Sequence, residues 1–246
     1  MAQFLTPIRA MRWLQQTHML RILHLFANSC NLLNQDDQLI SIVSPSIGLG
    51  PFSLIIPEFA LEKVHHGEPI RVVDGRLEIG NWGLGIDGLT VWDAVPKWGQ
   101  LKGRVFENGR LFPLAPKIQY HFDRLLSGLK SESETIVIDA AYSLAGLGEG
   151  LTPTGDDILM GAIYALWVYQ PHSEWIRLIG ETAVPRTTTL SAAFLRAAMD
   201  GEATIHWHQL VQNHPHAIQK ILSIGHTSGR DAWTGFLQTI KLLKTG

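Results

Sequence analysis

The stretch LGEGLTPTGDDILMGAIYALW, residues 147–167, joins a glycine-rich turn, two adjacent aspartates and a run without charge. Residues 158–169 are apolar on every side of a helix, which is typical of a helix in the centre of a core. The N-terminus of such a helix opens inside the fold, where carboxylates need partners such as backbone N–H groups, hydroxyls, a cation or a substrate. The density of Gly, Thr and Asp in one turn therefore favours a functional pocket over a purely structural cap.

The two aspartates of this turn have different expected positions. The spacing of Thr154 and Asp157 fits a capping box, in which Thr154 is the N-cap and the later acid reaches back to the cap's N–H. An aspartate in the first turn is also stabilised by the helix dipole, by about 0.3 to 1 kcal/mol. A cap thus explains Asp157, whereas Asp156 is expected to be freer to face a ligand.

The glycines of GLGEG, residues 146–150, invite comparison with nucleotide-binding loops. Those loops follow a β-strand, but the residues before this turn have a helical period. No lysine follows the last glycine of GLTPTGDD, which excludes a phosphate-binding P-loop as well. We therefore expect no bound nucleotide.

Two further polar clusters stand just before helical runs. The first, in RTTTLSAAFLRAAMDGE, holds Arg186, Thr187, Thr188 and Ser191, and the second, in GHTSGRDAWTG, holds His226, Thr227, Ser228 and Asp231. Each set fits a helix cap, and the first also fits an anion-contacting helix N-terminus. A Ser-His-Asp triad is disfavoured, because adjacent residues rarely face one another and no nucleophile elbow is present. We predict that these two clusters and the glycine turn line one pocket.

The remaining pattern predicts an α+β protein. Short β-favouring runs between Pro and Gly indicate a β-rich N-terminal half, with a barrel-like sheet as one option, and helical periods follow Pro116. The expected domains are residues 1–115, with a leading helix at residues 20–33, and residues 116–246. The dipeptides Asp74-Gly75 and Asn108-Gly109 predict hairpin turns, because they tolerate positive φ.

Composition excludes several classes of protein. The 246 residues are 46% hydrophobic and 17% charged with a net charge of −2, which favours a soluble globular chain without an electrostatic footprint for nucleic acid. The uncharged run of about a dozen residues is too short to span a membrane. A single cysteine, Cys30, excludes an intrachain disulfide and a cysteine-based zinc site and fits the cytoplasm. The histidines are interpreted as surface or loop residues and the tryptophans as core anchors.

Three ordered motifs, GLGEGLTPTGDD, RTTTLSAAFLRAAMDGE and GHTSGRDAWTGF, together with GLGPFSLIIPEF in the first half, resemble the AllH-type subunit of bacterial oxamate carbamoyltransferase. The resemblance implies a subunit that acts with two partner subunits in allantoin (purine nitrogen) breakdown. It implies exchange of a carbamoyl group between oxalurate and phosphate, giving oxamate and carbamoyl phosphate. Glu149, where the family usually has proline, is interpreted as a solvated loop residue.

On this hypothesis the three motifs converge on a small anionic substrate. Backbone N–H groups around residues 150–155 hold carboxylate or phosphate oxygens, Asp156 or Asp157 orients an amide nitrogen or a Mg²⁺ ion, and His226 moves a proton. The substrate-binding residues are Gly148, Gly150, Thr152, Thr154, Gly155, Arg186, Thr187, Thr188, Ser191, Thr227, Ser228 and Asp231. We expect no cofactor, and at most a weakly held Mg²⁺.

A second hypothesis belongs to a different class of protein. The glycine motifs can instead be packing devices of a non-catalytic interaction or regulatory subunit, or of a small-anion-binding protein in a related pathway. A chain that binds no oxamate, phosphate or carbamoyl phosphate, yet co-purifies with partners, would favour this alternative.

Overall fold

The computed structural model describes residues 4–106 and 111–244. The chain forms two compact units, Met1–Ala94 and Val95–Gly246. The first is rich in strands and the second is helical, so the α+β class predicted from the sequence is confirmed. The proposed division into residues 1–115 and 116–246 stays a prediction.

Three separate sheets make up the N-terminal unit. Its strands are β1 (Leu5–Pro7), β2 (Leu20–Phe26), β3 (Ser29–Asn34), β4 (Leu39–Val43), β5 (Ser53–Ile55), β6 (Ile70–Val73), β7 (Arg76–Ile79), β8 (Trp82–Gly85) and β9 (Thr90–Trp92). Its helices are α1 (Ile8–Gln16), α2 (Glu58–His65) and a short 3₁₀ turn (Ile86–Gly88). The sheets have the orders β1-β9, β2-β3-β4-β5 and β6-β7-β8, and no closed barrel exists among the described residues.

The central sheet supplies the core of this unit. The strand β3 pairs antiparallel with β2 and β4, and β4 pairs in parallel with β5. Every residue of β4 is buried, and Trp13 and Leu14 of α1 belong to the same apolar cluster. Cys30 lies in this core, where burial raises the pKa of its thiol to about 11. The thiol is therefore protonated and unreactive at neutral pH.

The prediction of a helix at residues 20–33 is wrong. This segment is a hairpin, in which β2 and β3 are joined by a turn at residues 27–28. The apolar positions that matched a helical period lie on both sides of that turn, and pairing of β3 with β4 overrides the local pattern. The helices α1 and α2 of the β-rich region were not predicted.

One of the two predicted hairpin turns is confirmed. Asp74 and Gly75 join β6 to β7 and have φ values of 47° and 71°, as a two-residue hairpin turn requires. The other predicted turn, Asn108-Gly109, lies outside the described residues. The segments described on either side of it, residues 103–106 and 111–113, form no strand.

The second unit is a helical bundle around one central helix. Its helices are α3 (Pro116–Lys130), α4 (Glu134–Leu144), α5 (Thr154–Tyr169), α6 (Glu174–Ala183), α7 (Thr189–Met199), α8 (Ile205–Val211), α9 (Ala217–Leu222) and α10 (Ser228–Lys244), with 3₁₀ turns at Trp98–Leu101 and Val184–Arg186. The helical periods predicted after Pro116 are thus confirmed. The short α8 was missed, because seven residues carry little periodic signal.

The helices α5 and α10 cross with their backbones in contact. A Cβ atom on Gly161 would lie 2.0 Å from the carbonyl oxygen of Ala232, and one on Gly235 would lie 2.3 Å from that of Ile158. Only glycine permits this approach, which is the reason that glycine occupies both positions. The crossing brings the first turns of α5 and α10 together, since Thr154 bonds to Asp231.

Candidate functional site

The first turn of α5 is not capped as the sequence predicts. The N-cap is Pro153, with φ −54° and ψ 142°, and it has no side-chain capping bond. Thr154 is therefore the first helical residue, and its hydroxyl donates instead to Oδ2 of Asp231 at 2.9 Å. Asp157 falls at the fourth helical position, one residue beyond the position from which an acid can complete a capping box. The capping-box prediction for Thr154 and Asp157 is wrong.

The glycine turn is folded against this helix start. Gly146, Gly148 and Gly150 have φ values of 70°, 131° and 86°. A Cβ on Gly148 would lie 2.6 Å from the amide nitrogen of Thr154, and one on Gly155 would lie 2.0 Å from the carbonyl oxygen of Leu144. Glycine is thus required at these positions for positive φ or for close backbone approach.

Backbone donors of the turn divide into used and unused groups. The N–H of Gly155 donates to the carbonyl of Leu147 at 2.8 Å. It is therefore not available to hold an anion, which the sequence analysis had predicted for it. The N–H groups of residues 148–152 have no acceptor within the part of the chain that the structure describes. Gly148 and Gly150 are exposed, as is Glu149, which agrees with its interpretation as a solvated loop residue.

Hydrogen bonds of Asp156 join three segments of the helical unit. Its Oδ1 accepts from the N–H of Gly146 at 2.9 Å, and its Oδ2 accepts a short hydrogen bond from the hydroxyl of Thr187. Burial raises the pKa of Asp156, and the bonds from Thr187, Gly146 and Ser191 oppose that shift. The expectation that Asp156 is the freer of the two aspartates is wrong, because both its oxygens are occupied.

Asp157 is the carboxyl with an unused oxygen. Its residue is 5% exposed, and its Oδ2 is buried without a hydrogen-bond partner. Burial raises the pKa of Asp157 well above its ordinary value; a bond from Ser228 opposes the shift, and the charges of Asp231 and Asp156 add to it. Such surroundings favour the protonated form of the carboxyl, which is a hydrogen-bond and proton donor.

The third buried carboxyl, Asp231, comes from the first turn of α10. Burial raises its pKa, while hydrogen bonds from Thr154 and Thr227 and the charge of Arg230 lower it. On the same turn, Oγ of Ser228 lies 2.7 Å from Oγ1 of Thr152, and either hydroxyl can be the donor. The start of α10 is thereby joined to both the glycine turn and α5.

The cluster around α7 reaches the glycine turn from another side. Thr188 is the N-cap of α7, because its hydroxyl accepts from the N–H of Ser191 at 3.1 Å. The same hydroxyl donates to the carbonyl of Leu151 at 2.5 Å, and that of Ser191 approaches it at 3.5 Å. Thr188 therefore both caps α7 and contacts the glycine turn.

Arg186 is held by an aromatic ring. Its guanidinium carbon lies 3.3 Å from the ring centroid of Tyr142, and its Nε donates to the Tyr142 carbonyl at 3.2 Å. Within the described ranges it forms no ion pair with a carboxylate. No pattern in the sequence predicts a role for Tyr142, which lies on an exposed face of α4. The stacked guanidinium keeps its terminal N–H groups and its charge for another partner.

His226 is the predicted site residue least connected to the others. It is exposed, in the turn that precedes α10, two residues before Ser228. No contact joins it to the three aspartates in the part of the chain that the structure describes. Its predicted role in moving a proton stays a prediction.

Among residues 4–106 and 111–244, no group of three or more His, Cys, Asp and Glu side chains is arranged to hold a metal ion. Within the same ranges, no helix is both long and apolar enough to cross a membrane.

These features define an α+β protein whose helical unit joins three polar loops around three buried aspartates. A family model described as oxamate carbamoyltransferase subunit AllH matches residues 144–240, and one described as AllH family N-terminal domain matches residues 6–91. The chain belongs to the AllH family, as its motifs indicated. No solved structure matches it significantly.

Proposed function

We propose that this chain is a subunit of an oxamate carbamoyltransferase whose helical unit contributes anion-contacting and acid–base groups to carbamoyl transfer. The reaction exchanges a carbamoyl group between oxalurate and phosphate, with oxamate and carbamoyl phosphate as products, in allantoin breakdown in the cytoplasm. The observation that carries the proposal is the match to residues 144–240, which contains all three loops that meet at the buried aspartates.

Oxalurate, oxamate, phosphate and carbamoyl phosphate are all anions, which a cluster of three ionised carboxylates would repel. Burial raises the pKa of Asp156, Asp157 and Asp231, which favours the neutral form of each carboxyl over the charged form that would repel an anion. The charge of Arg186 and the unused N–H groups of residues 148–152 supply attraction at its rim. The balance of charge therefore suits a small anion.

The family name describes a subunit, which supports a complex with partner subunits. We propose two such partners, the number that the resemblance implies. Neither a nucleotide nor zinc is part of the proposal, and Mg²⁺ is at most weakly held. The complex should keep its activity after dialysis against a chelator strong enough to remove zinc. Loss of activity that only zinc restores would contradict this point.

The test is phosphorolysis of oxalurate by the complex reconstituted with both partner subunits, with carbamoyl phosphate as the measured product. Arg186→Ala should raise the KM for oxalurate or phosphate by about tenfold, the loss expected for one charged hydrogen bond of about 1.5 kcal/mol. Arg177, an exposed arginine paired with Glu181, provides the control, and Arg177→Ala should leave KM unchanged. Equal KM values for both variants would remove Arg186 from the site.

A second candidate function is supported by the hydrogen bonds that the buried aspartates form within the chain. Both oxygens of Asp156 are bonded within the chain, and Asp231 accepts from Thr154. Such mutual satisfaction is also expected of a non-catalytic subunit that holds its loops rigid for an interface. Full activity of a complex that carries both Asp157→Asn and Arg186→Ala would favour this candidate.

A further inference from the structure

The backbone at Arg186 is fixed against the glycine turn. The carbonyl oxygen of Arg186 packs on Gly146, where an added Cβ atom would lie 2.7 Å from it. The next residue, Thr187, donates a hydrogen bond to Asp156, which also accepts from the N–H of Gly146. One carboxyl group therefore ties the segment that carries Arg186 to the turn.

The side chain of the same arginine is held by Tyr142. The guanidinium carbon of Arg186 lies 3.3 Å from the centroid of the Tyr142 ring, so the ring covers one face of the guanidinium. The Nε atom donates to the carbonyl oxygen of Tyr142 at 3.2 Å. Because a guanidinium carries its N–H donors in one plane, the part that remains is the edge with the terminal nitrogens Nη1 and Nη2.

A second arginine–tyrosine pair of the helical unit differs in its charge balance. Arg124 lies over Tyr120 at 6.0 Å, and its Nη2 forms an ion pair with Asp139 at 2.8 Å. Arg186 is exposed and stacked more closely, yet no carboxylate pairs with it in the part of the chain that the structure describes. The charge of Arg124 is thus balanced within the chain, whereas that of Arg186 is free to pair with an anion.

We propose that Tyr142 is a positioning residue that fixes Arg186 for end-on binding of the carboxylate of oxalurate or oxamate. The two Nη nitrogens lie side by side, and such a fork pairs with the two oxygens of one carboxylate through parallel hydrogen bonds. The inference rests on the proposed function, which supplies the identity of the anion. It assigns the carboxylate end of the substrate to one arginine and its ring.

The phosphate is assigned to a different set of donors. Within the described ranges the N–H groups of residues 148–152 have no acceptor. Backbone N–H groups that follow one another in a turn suit the several oxygens of a phosphate, whereas the planar fork of Arg186 suits a planar group. Loss of the Tyr142 ring should therefore affect the carboxylate substrates and not phosphate.

Removal of the ring leaves the charge of Arg186 but gives its side chain more freedom. Tyr142→Ala keeps the backbone carbonyl that accepts from Nε, so only the stacking contact is lost. A freer arginine must be ordered when the carboxylate binds, and ordering a side chain with many rotamers lowers affinity. We expect a loss of about fivefold in the affinity for the carboxylate.

The first test measures steady-state kinetics of the reconstituted complex. Tyr142→Ala should raise the KM for oxalurate by about fivefold, with kcat and the KM for phosphate changed by less than about twofold. Tyr142→Phe keeps the ring and should behave like the parent. Tyr120→Ala removes the ring of the second pair and should leave all three constants unchanged.

A double-mutant cycle shows whether Tyr142 acts through Arg186. In a chain that carries Arg186→Ala, the further change Tyr142→Ala should have no effect on the KM for oxalurate, because the ring has no guanidinium left to hold. Additive effects of the two changes would overturn the positioning role, since they would show that the ring acts without the arginine.

The second test needs no activity. Isothermal titration with oxamate, of the isolated full-length chain and of the complex, should give a Kd about fivefold higher for Tyr142→Ala than for the parent and Tyr142→Phe. Titration with inorganic phosphate should give the same Kd for all three. An equal loss of affinity for both anions, or no binding of oxamate to the parent chain and the parent complex, would overturn the inference.

The outcomes separate this inference from the proposed function. Oxamate binding that depends on Tyr142, in a complex without carbamoyl transfer, would reject the proposed function and keep the carboxylate site. Carbamoyl transfer with an unchanged KM for oxalurate in Tyr142→Ala would keep the function and overturn the inference. Circular dichroism checks the fold of each variant, and Tyr142→Leu repeats the comparison if Tyr142→Ala is unstable.

Discussion

The two units of the chain bury polar side chains of different kinds. The N-terminal unit buries hydroxyls and amides, namely Thr6, Thr17, Asn31, Asn34, Ser41, Ser44 and Ser53, whereas the buried acids of the described residues, Asp156, Asp157, Glu202 and Asp231, all belong to the helical unit. A buried neutral group needs hydrogen-bond partners, while a buried acid must also be paired with a cation or protonated. Among the described residues, the buried acids are therefore confined to the helical unit, where we propose that the acid–base chemistry takes place.

The largest expected effect concerns the helix crossing that assembles the acids. Gly161→Ala would place a methyl group 2.0 Å from the Ala232 carbonyl oxygen, so α5 and α10 must separate, at a cost of about 3 kcal/mol of unfolding free energy. Gly99→Ala is the control, because nothing lies within 4 Å of the added methyl group. Urea unfolding measures both variants, and an equal change in the two would show that the crossing tolerates a wider spacing.

The next effect tests whether the buried acid is functional. Asp157→Asn keeps the size of the side chain but cannot release a proton, so kcat of the reconstituted complex should fall by about 100-fold. Ser41→Ala, which removes a buried hydroxyl bonded to Asn31 in the N-terminal unit, should leave kcat unchanged. The measurement is the rate of carbamoyl phosphate formation. A loss of kcat in Ser41→Ala, with kcat unchanged in Asp157→Asn, would show that catalysis depends on the N-terminal unit and not on Asp157.

The two adjacent aspartates should differ in stability. Asp156→Asn replaces an oxygen that accepts from Gly146 or Thr187 by an amide donor, which costs about 1 to 3 kcal/mol of unfolding free energy. Asp157→Asn should cost less, because one of its oxygens has no partner to lose. Thermal or urea unfolding at one pH compares them; a more destabilised Asp157→Asn would show that this carboxyl holds the fold.

Stability should also depend on pH through the buried acids. A carboxyl whose folded pKa is raised stabilises the fold below its unfolded pKa of about 3.9, and that contribution is lost as pH rises through the folded pKa. The parent should therefore lose unfolding free energy as pH increases from about 4, and Asp157→Asn should lose less over the same range. Parallel urea unfolding curves for the two proteins across this range would contradict the raised pKa.

The smallest effect is expected at the exposed turn. Glu149→Gln removes a charge from a solvated residue, so the unfolding free energy should change by less than about 0.5 kcal/mol. Its effect on KM should also be small compared with that of Arg186→Ala. A change of KM equal to that of Arg186→Ala would mean that the charge of Glu149 reaches the substrate.

Much of the architecture was predictable from the sequence. The all-apolar run after Asp157 predicted a central helix, and Asp74-Gly75 predicted a hairpin, because both signals depend on local physics. The segment of residues 20–33 was predicted wrongly, because its apolar spacing fits a helix while its true partner, β4, is a different part of the chain. Strand pairing depends on tertiary contacts that a local period does not contain.

The roles of the two aspartates were predictable only in part. The sequence placed both in the first turn of a buried helix, but it assigned the cap to Thr154 instead of Pro153. That shift of one position exchanges the expected surroundings of Asp156 and Asp157. The hydroxyl of Thr154 bonds to Asp231, 77 residues away, and no local pattern predicts such a contact.

The central claim is that the helical unit keeps Asp157 protonated at the point where the three loops meet. Carbon-13 NMR of the chain labelled at aspartate carboxyl carbons measures this directly, with the Asp157 signal identified by its loss in Asp157→Asn. We predict that this signal titrates well above the ordinary aspartate range. Titration near the free aspartate value of about 3.9 would contradict the account, because an ionised Asp157 cannot supply the proton.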